Sequence, residues 1–417
     1  MNVFLKNKLY RVITISDCLS VIGDSIFYLA LIAYANKLEN SILAVSIVTM
    51  SEAIPPFFSV YTGYLVDKTK NKAWADIVSN LVRFIIYLLV ALTLYFYNGI
   101  GAIIIISILN ILSDLLGSYS DNLRFPVIYS IIPDDDMEES FSFSNITYYA
   151  FSFGAKVLGG GILLMVGSNY IIFSILNSLT FLVAGLMMID IFSDLKLKIA
   201  EYEKDTGEEN EFSDDVNNLT ILTSLIKLMK NKKIIRVVIP VALSNSLVAC
   251  LLPLMYVYSN NPRILVQLQY EVIISLLGGI SVIGIIIGNW SATNYFKSFS
   301  LYKSLIYLLI TLGLFSLLLF LNSNIYLLLC GIFVLFGFEG VISPKFSLYL
   351  MENQEYDSLG ISSGAINTLL AIGVPIKIFI VLTIANIFGL LYSELLLFAF
   401  AIIYIILVKK LDQNHED

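Results

Sequence analysis

Residues 63–72, GYLVDKTKNK, place three lysines and an aspartate within ten positions, between two long apolar runs. Charged side chains are costly in hydrocarbon, so such a segment is typical of a short aqueous loop that joins two membrane helices. The composition agrees, because 58% of the residues are apolar and 14% are charged, whereas soluble domains carry about 25% charged residues. The mean hydropathy is +0.84. The sequence therefore predicts a protein embedded in a membrane along most of its length.

Apolar runs long enough to cross a membrane recur along the chain. An α-helix needs about 20 apolar residues to cross roughly 30 Å of hydrocarbon, and twelve such runs occur. They are continuous and too long for barrel strands of about 10 alternating residues. We therefore predict an all-α membrane protein with twelve transmembrane helices. The predicted spans are residues 11–35, 41–66, 74–97, 100–124, 139–165, 168–192, 234–258, 269–294, 301–322, 324–350, 359–385 and 387–408.

Residues typical of enzyme, metal and nucleotide sites are few. Cys18, Cys250 and Cys330 lie in apolar runs, where cysteine is typical of a small core residue, and the single histidine, His415, lies in the polar tail. No glycine-rich phosphate loop of the type G-x-x-x-x-G-K-S/T occurs. With a net charge of −7, the sequence predicts no enzyme, no metal site, no cofactor and no nucleic-acid partner.

Lysine and arginine concentrate on alternate loops. Most of the 25 basic residues fall on the side of the predicted spans that holds the N-terminus, and Lys37 and Arg263 fall in loops of the other side. Basic residues near short loops stay in the cytoplasm. Because the N-terminal segment also lacks the apolar length and cleavage site of a signal peptide, we expect both termini to be cytoplasmic.

The longest predicted loop divides the spans into six and six. Its acidic stretch EYEKDTGEENEFSDD at 201–215 is typical of a solvated linker, and apolar residues at helical spacing with clustered lysines follow it. A second acidic stretch, PDDDMEES at 133–140, is likewise interpreted as a solvated loop. We expect an N-terminal bundle at 1–192, a cytoplasmic linker with an amphipathic helix at 193–233, and a C-terminal bundle with a short tail at 234–417.

The two halves repeat each other. Pro126 after the fourth predicted span corresponds to Pro344 near the end of the tenth, and each is followed by an acidic stretch and then by a helix that contains glycine. Parallel six-helix repeats with a substrate cavity at their interface are a known transporter architecture. The prediction is therefore two pseudo-repeated six-helix bundles.

The charged loop at 63–72 resembles a known signature. Gly63-x-Leu65-x-Asp67-Lys68-x-x-x-Lys72 is similar to the motif G-x-L-x-D-R/K-x-G-R/K-R/K between spans two and three of major facilitator superfamily transporters. The resemblance implies the major facilitator fold and a conformational latch at this loop. Gly63 would allow close approach of helices, and Asp67 would accept hydrogen bonds from a neighbouring helix N-terminus. Lys68 and Lys72 would hold the turn at the anionic inner leaflet.

Two further segments resemble the bacterial drug-efflux and macrolide-efflux-like branch of that superfamily. Residues 20–24, SVIGD, are similar to its S-x-x-G-D in span one, and residues 126–133 to its P-x-x-x-x-x-x-P after span four. Two positions depart from the family pattern. Asp114 stands where many members have an arginine, and Lys156 stands at the proline position of the span-five motif G-P-x-x-G-G. The resemblance to this branch implies efflux. The two altered motifs do not by themselves imply proton antiport.

Ionisable residues inside the spans are the remaining functional signal, because a charge at the bilayer centre costs about 2.5 to 3.5 kcal/mol unless it is paired or hydrated. Acids outnumber bases, and desolvation favours the protonated form of a buried carboxyl. The substrate or proton candidates are Asp24, Glu52, Asp114, Lys156 and Glu339, and the charge partners are Arg83 and Lys377.

Several of these residues have a structural alternative. Asp24, with apolar neighbours in span one, is either a site for a proton and substrate or a member of an ion pair. Glu52 precedes two prolines and has either a packing role or a cavity role. Asp114 and Lys156 either neutralise each other structurally or form a coupling pair. Lys377 is alternatively a snorkelling residue near the outer face.

Together, these residues and the resemblance predict a secondary active transporter of the bacterial cytoplasmic membrane. It would export an amphipathic or lipophilic small molecule by alternating access, coupled to a gradient of protons or another ion, and would work as a monomer among membrane lipids. Two alternatives remain. One is an exporter dedicated to a peptide, lipid or siderophore, and the other is a transport-dead membrane scaffold or sensor.

Overall fold

The computed structural model is helical and contains twelve helices long and apolar enough to cross a membrane, counted over its described residues. The prediction of an all-α chain with twelve spans is therefore confirmed. The structure describes residues 2–166, 169–205, 231–259, 269–321, 324–353, 366 and 368–416.

The N-terminal half holds six membrane helices, preceded by a short helix at Asn2–Lys6. Helix α2 consists of two α-helical segments joined by a 3₁₀ turn at Pro55–Phe58. The bounds are α1 Lys8–Asn36, α2 Ser41–Ala53 with Ser59–Asp67, α3 Lys72–Phe96, α4 Ile100–Ile131, α5 Asp134–Met165 and α6 Tyr170–Asp205.

The C-terminal half holds the other six, and its first helix, α7, is also in two segments. The bounds are α7 Lys232–Val248 with Leu251–Tyr258, α8 Tyr270–Asn294, α9 Leu301–Phe320, α10 Ile325–Asn353, α11 Gly373–Phe388 and α12 Leu390–Glu416. The apolar span that contains α11 begins at Thr368.

Four helices extend at least five residues beyond the apolar runs predicted. Helix α4 continues through Pro126, and α5 begins at Asp134. The interpretation of 133–140 as a loop was wrong, because acidic residues at the start of a helix are stabilised by its positive end. Helix α6 extends to Asp205 and α12 to Glu416, where charged residues follow the apolar run. The predicted amphipathic helix falls largely within 206–230, outside the described residues.

Proline explains both broken helices. Pro55 and Pro56 lack the N–H that an α-helix interior requires, and their rings clash with the preceding turn, so α2 passes through a 3₁₀ turn there. In α7, Pro253 cannot donate to the carbonyl of Ala249, four residues earlier, and the helix is interrupted at Ala249 and Cys250. Each break separates two segments of one span.

The two halves meet along two seams. We call the face with the N-terminal helix and the α2–α3 turn the terminal face, and the opposite face, with the α1–α2 turn, the far face. Helix α5 packs against α8, and the far-face segment of α2, Ser41–Ala53, packs against α11 and against Leu251–Tyr258 of α7. The terminal-face segment, Ser59–Asp67, packs on α4 of its own half. The halves are thus joined toward the far face, and the space between them opens toward the terminal face.

Small residues allow the α5–α8 seam to close. A Cβ added to Gly160 of α5 would lie 2.6 Å from the backbone oxygen of Glu271 and closer still to the Ser275 hydroxyl of α8. The side chain of Glu271 lies 3.6 Å from Lys37, at the far-face end of α1. Backbone contact and an ion pair therefore hold the same corner of the molecule closed.

Replacing Gly160 with leucine should keep the far face from closing, because overpacking of a tight contact costs about 1 to 3 kcal/mol. The matched control is Gly161→Leu, since nothing lies within 4 Å of a Cβ at Gly161. The readout is the distance between spin labels at Glu39→Cys and Leu321→Cys, which are exposed far-face positions of the two halves.

The exposed Cys330 is replaced by alanine in all of these proteins, while Cys18 and Cys250 are buried. We expect a longer label distance in Gly160→Leu than in the parent or in Gly161→Leu. Identical distances in all three proteins would refute the role of this seam.

Candidate functional site

We call the space between the two halves the cavity, and we place the exposed side chain of Glu52 at its edge. This residue is exposed although it lies within a membrane span. Its Oε1 accepts a hydrogen bond from Nδ2 of Asn110 at 2.9 Å, so its side chain points toward α4. The rings of Tyr28 and Tyr256 pack edge to face, 6.5 Å apart, across the interface between the halves. Glu52 is thus exposed within a span and hydrogen-bonded to α4, and its role at a cavity stays a prediction.

An ion pair between α1 and α3 lies beside this cavity. Arg83 is 5% exposed, and its Nη2 donates to Oδ2 of Asp24 at 2.8 Å. The guanidinium carbon lies 3.9 Å from the centre of the Phe181 ring, and Nε donates to the Ser113 hydroxyl at 3.1 Å. A Cβ at Gly117 would lie 3.3 Å from the guanidinium, so glycine at this position leaves room for the arginine.

Asp24 is more fully partnered than the sequence suggested. Besides Arg83, it accepts a hydrogen bond from Nδ2 of Asn177 at 3.2 Å and a longer one from the Tyr87 hydroxyl at 3.5 Å. Its side chain is 35% exposed. The apolar neighbours in sequence are not the surroundings in space, and of the two sequence-based alternatives for Asp24 the ion pair describes its contacts.

One asparagine joins the other two predicted site carboxyls of this half, Glu52 and Asp114. The Nδ2 group of Asn110 donates to Oε1 of Glu52 at 2.9 Å and to Oδ2 of Asp114 at 2.8 Å. Its Oδ1 accepts from the Tyr87 hydroxyl at 2.9 Å, which fixes the orientation of the amide. We call Glu52, Asp114 and Asn110 the carboxyl clamp. Two acids held by one amide group form a local excess of negative charge at the cavity.

The predicted pair of Asp114 with Lys156 does not form, since no ion pair joins them among the described residues. Asp114 is held by Asn110, whereas Lys156 lies against the other half: a Cβ at Gly278 of α8 would lie 3.1 Å from its Cδ. The pair is absent because Asn110 holds Asp114 on α4, whereas the side chain of Lys156 runs along α8.

The opposite cavity wall carries one acid of its own. Glu339 lies on α10, and its Oε2 is buried without a hydrogen-bond partner in the described structure. The neighbouring Gly340 packs so tightly on α8 that a Cβ would lie 3.0 Å from the backbone nitrogen of Asn289. Close helix contact thus fixes the backbone that presents Glu339.

Lys377 lies against aromatic rings, and among the described residues no ion pair joins it to an acid. Its Nζ lies 3.5 Å from the centre of the Phe400 ring and 5.1 Å from that of Tyr404, both on α12. Attraction of a cation to aromatic faces explains this placement. Lys377 therefore stabilises the contact of α11 with α12, and the prediction of a charge partner is corrected.

The predicted latch lies on the terminal face, away from the carboxyl clamp. Lys68 lies 4.6 Å from the centre of the Tyr64 ring, and Lys72 lies 3.5 Å from the backbone oxygen of Thr69. A Cβ at Gly63 would come within 3.9 Å of Asn122 of α4. The side chain of Asp67 lies outside the described residues. These contacts hold the loop to its own half.

Sequence reasoning missed Asn110 and Tyr87, which position the carboxyls. One signal was present, because Asn110 and Asp114 are four residues apart and so share a helix face. It also passed over Asp76 of α3 and Glu394 of α12, which are 7% and 4% exposed. Both lie near the ends of spans, where acids are common and their burial depends on neighbouring helices.

Comparison with known proteins gives the fold. No family model matches the sequence, and no curated protein matches it. Among solved structures, the nucleoside transporter NupG matches with a TM-score of 0.70 at 11% identity, covering 97% of this chain and 99% of that one. The peptide transporter POT in complex with sulfate matches with a TM-score of 0.70 at 11% identity, covering 97% and 95%.

A POT family transporter in complex with 5-aminolevulinic acid matches with a TM-score of 0.66 at 12% identity, covering 97% of each chain. At these identities the likeness concerns the fold. The chain has the major facilitator fold of twelve helices in two six-helix bundles.

Removing the Arg83 charge should destabilise the protein strongly. Arg83→Met leaves Asp24 without its cation, and breaking a buried pair costs about 3 to 5 kcal/mol; we expect the lower end, about 3 kcal/mol, because Asp24 is partly exposed. The double variant Asp24→Asn with Arg83→Met should recover part of this loss. Denaturant unfolding in detergent micelles measures both. Strictly additive losses in the double variant would argue against the pair.

Proposed function

We propose that this protein is a proton-coupled secondary transporter that exports an amphipathic or lipophilic small molecule. In this proposal it is a major facilitator superfamily member of the drug-efflux and macrolide-efflux-like branch, works as a monomer in a bacterial cytoplasmic membrane, and has both termini in the cytoplasm. The fold, the cavity between two halves and the resemblance of the 63–72 loop support this assignment.

The observation that carries the proposal is the carboxyl clamp. Glu52 and Asp114 are held by the same amide group at a cavity wall within the membrane. Like charges this close disfavour the doubly ionised state, and so does a low-dielectric surrounding. A proton relieves both penalties, and a cationic group of a cargo molecule relieves them equally well. Proton and cargo therefore compete for one place, which is the requirement for exchange.

The cavity wall favours an amphipathic cation as cargo. The Asp24 charge is balanced by Arg83, so negative charge in excess remains at the clamp. Tyr148 of α5 is 52% exposed, so it offers an aromatic face on a helix that borders the other half. Aromatic faces bind organic cations. Cargo with a planar apolar body and one positive charge matches these groups.

Movement of cargo would follow from opening and closing the two ends of the cavity. With the terminal face cytoplasmic, the structure corresponds to the state that takes up cargo from the cell. Export requires the α5–α8 seam to open at the far face and the terminal face to close. We assign the loop with Gly63, Asp67, Lys68 and Lys72 to the latch that stabilises closure at the terminal face.

Neutralising either clamp carboxyl should uncouple transport without unfolding the protein. Glu52→Gln and Asp114→Asn keep the shape and the hydrogen bond from Asn110 but can no longer release a proton. The assay is uptake of ethidium, a permanent organic cation, into DNA-loaded liposomes that contain the purified protein and carry an imposed pH gradient. We expect gradient-driven uptake to fall at least about tenfold, since one lost interaction worth 1.4 kcal/mol is tenfold.

The control is Asp190→Asn on α6, an exposed carboxyl that lies 3.8 Å from Lys8 at the surface. It should keep full uptake. Full uptake in both clamp variants would refute the assignment of the clamp. Ethidium binding by the unaltered protein without any gradient-driven uptake would favour the scaffold or sensor.

A further inference from the structure

A slot between α2, α4 and α11 lies in the far-face half of the membrane. It has a volume of about 330 Å³, and its lining comes from residues 43–54 of α2, 104–111 of α4 and 379–386 of α11. Each stretch approaches the far-face end of its helix to within about 6 Å and runs for about 10 Å or more. The hydrocarbon of one leaflet is about 15 Å deep, half of roughly 30 Å. We call this space the lateral slot, and its length matches the depth of one leaflet.

The lateral slot opens toward the lipid and not toward the carboxyl clamp. In its lining, Ile104 and Ile108 are 45% and 54% exposed, and Phe379 is 59% exposed. Glu52 and Asn110 belong to the same stretches of α2 and α4 but do not line it. Their hydrogen bond of 2.9 Å joins these two helices. The slot and the clamp therefore lie on different faces of α2 and α4.

The two seams between the halves are packed differently. In the α5–α8 seam, a Cβ at Gly279 would lie 2.6 Å from the Val157 side chain, so no space remains there. In the seam of α2 with α11, the lateral slot leaves a space between the halves. An apolar cavity stays dry and binds apolar molecules, and the apolar molecules that surround a membrane protein are acyl chains.

One hydroxyl of the lateral slot has no partner. Ser107 of α4 is 4% exposed, and its Oγ lacks a hydrogen-bond partner in the described structure. The other two serines of the lining, Ser46 and Ser51, donate to carbonyls of their own helix at 2.6 and 2.7 Å. The ester carbonyl at the head of an acyl chain is an acceptor for the Ser107 hydroxyl. Asn386, exposed near the far-face end of α11, adds an amide at the end of the slot that lies nearest the lipid head groups.

We propose that the lateral slot binds one acyl chain of a glycerophospholipid from the far-face leaflet, and that this lipid stabilises the closed far face. Two walls of the slot belong to one half and the third belongs to the other. Opening of the far face moves these walls apart and removes the site. A ligand that binds one of two states shifts the equilibrium toward that state. The site involves neither the carboxyl clamp nor cargo, so this inference goes beyond the proposed function.

The test uses the spin-label pair Glu39→Cys and Leu321→Cys, with Cys330 replaced by alanine, in the purified full chain. The protein is kept in CHAPS, a steroid detergent without a linear chain, and dimyristoyl phosphatidylcholine is added. We expect the ratio of short to long label distances to rise about fivefold or more, the lower end of typical coupling energies. Dihexanoyl phosphatidylcholine, which has the same head group but chains too short to fill the slot, should have little effect.

Filling the lateral slot with a side chain should abolish the response to lipid. Ser46→Phe places a ring in the slot, and it removes a hydroxyl that donates only within its own helix. Thr383→Met, from the α11 wall, is the second filling variant if the first folds poorly. The matched control is Ile105→Phe, at a residue of α4 that is 40% exposed and lies outside the lining. It should keep the full response.

A contact readout accompanies the distances. Leu382 lines the lateral slot but is fully buried, so lipid at the outer surface does not reach it. A phosphatidylcholine with a diazirine in one chain should cross-link to Leu382 in the unaltered protein and in Ile105→Phe. In Ser46→Phe, this cross-link should be lost.

Each outcome decides the proposal. It is supported if the filling variants lose the lipid response and the control keeps it. No lipid response in the unaltered protein, an unchanged response in both filling variants, or no cross-link to Leu382 would overturn it. A rise in the ratio with ethidium but not with lipid would assign the slot to cargo and would also overturn it. Because none of these readouts uses gradient-driven uptake, the proposed function stands or fails independently.

Discussion

A charge enclosed between membrane helices has to be balanced where it stands, and Arg83 is the cation around which the N-terminal half is arranged. Its guanidinium binds Asp24 of α1, stacks on Phe181 of α6 and touches Gly117 of α4. Four helices are thereby fixed to one planar group. Arg83 already balances the charge of Asp24. In the proposed function, the acids without an arginine partner, Glu52 and Asp114, are therefore the ones that bind a proton or cargo.

The division of work between the halves follows from this arrangement. The N-terminal half holds the carboxyl clamp in a network of side-chain hydrogen bonds. The C-terminal half offers it a nearly bare helix surface, with Gly278 under Lys156 and Ser275 facing Gly160. A surface without long side chains can slide or separate without unlocking rotamers. The N-terminal half therefore carries the charged groups, and the C-terminal half provides a surface of small residues along which the two halves can move.

The sequence predicted what depends on local composition and missed what depends on helix rotation. The number of helices follows from apolar length, and it is correct. The extension of α4 past Pro126 was missed because the polar residues Asp121, Asn122 and Arg124 interrupt the apolar run and a proline follows them. The partner of Asp114 was wrong, because α4 presents Asn110 and Asp114 to α2, and neighbouring positions in sequence do not reveal which helix stands opposite. Lys377 was assigned to an acid because the sequence does not show that Phe400 and Tyr404 of α12 lie beside it.

The break in α2 also determines how that helix is turned about its axis. Pro56, four residues after Glu52, offers no N–H, so the main-chain oxygen of Glu52 has no helical donor. A carbonyl freed in this way costs several kcal/mol against hydrocarbon and little where water reaches it. The main-chain oxygen that the prolines leave unpaired and the carboxylate of Glu52 thus both require the water-accessible side of the helix. A rotation that turned Glu52 toward lipid would leave the acid and a main-chain oxygen unsolvated together, so the backbone defect keeps the side chain in place.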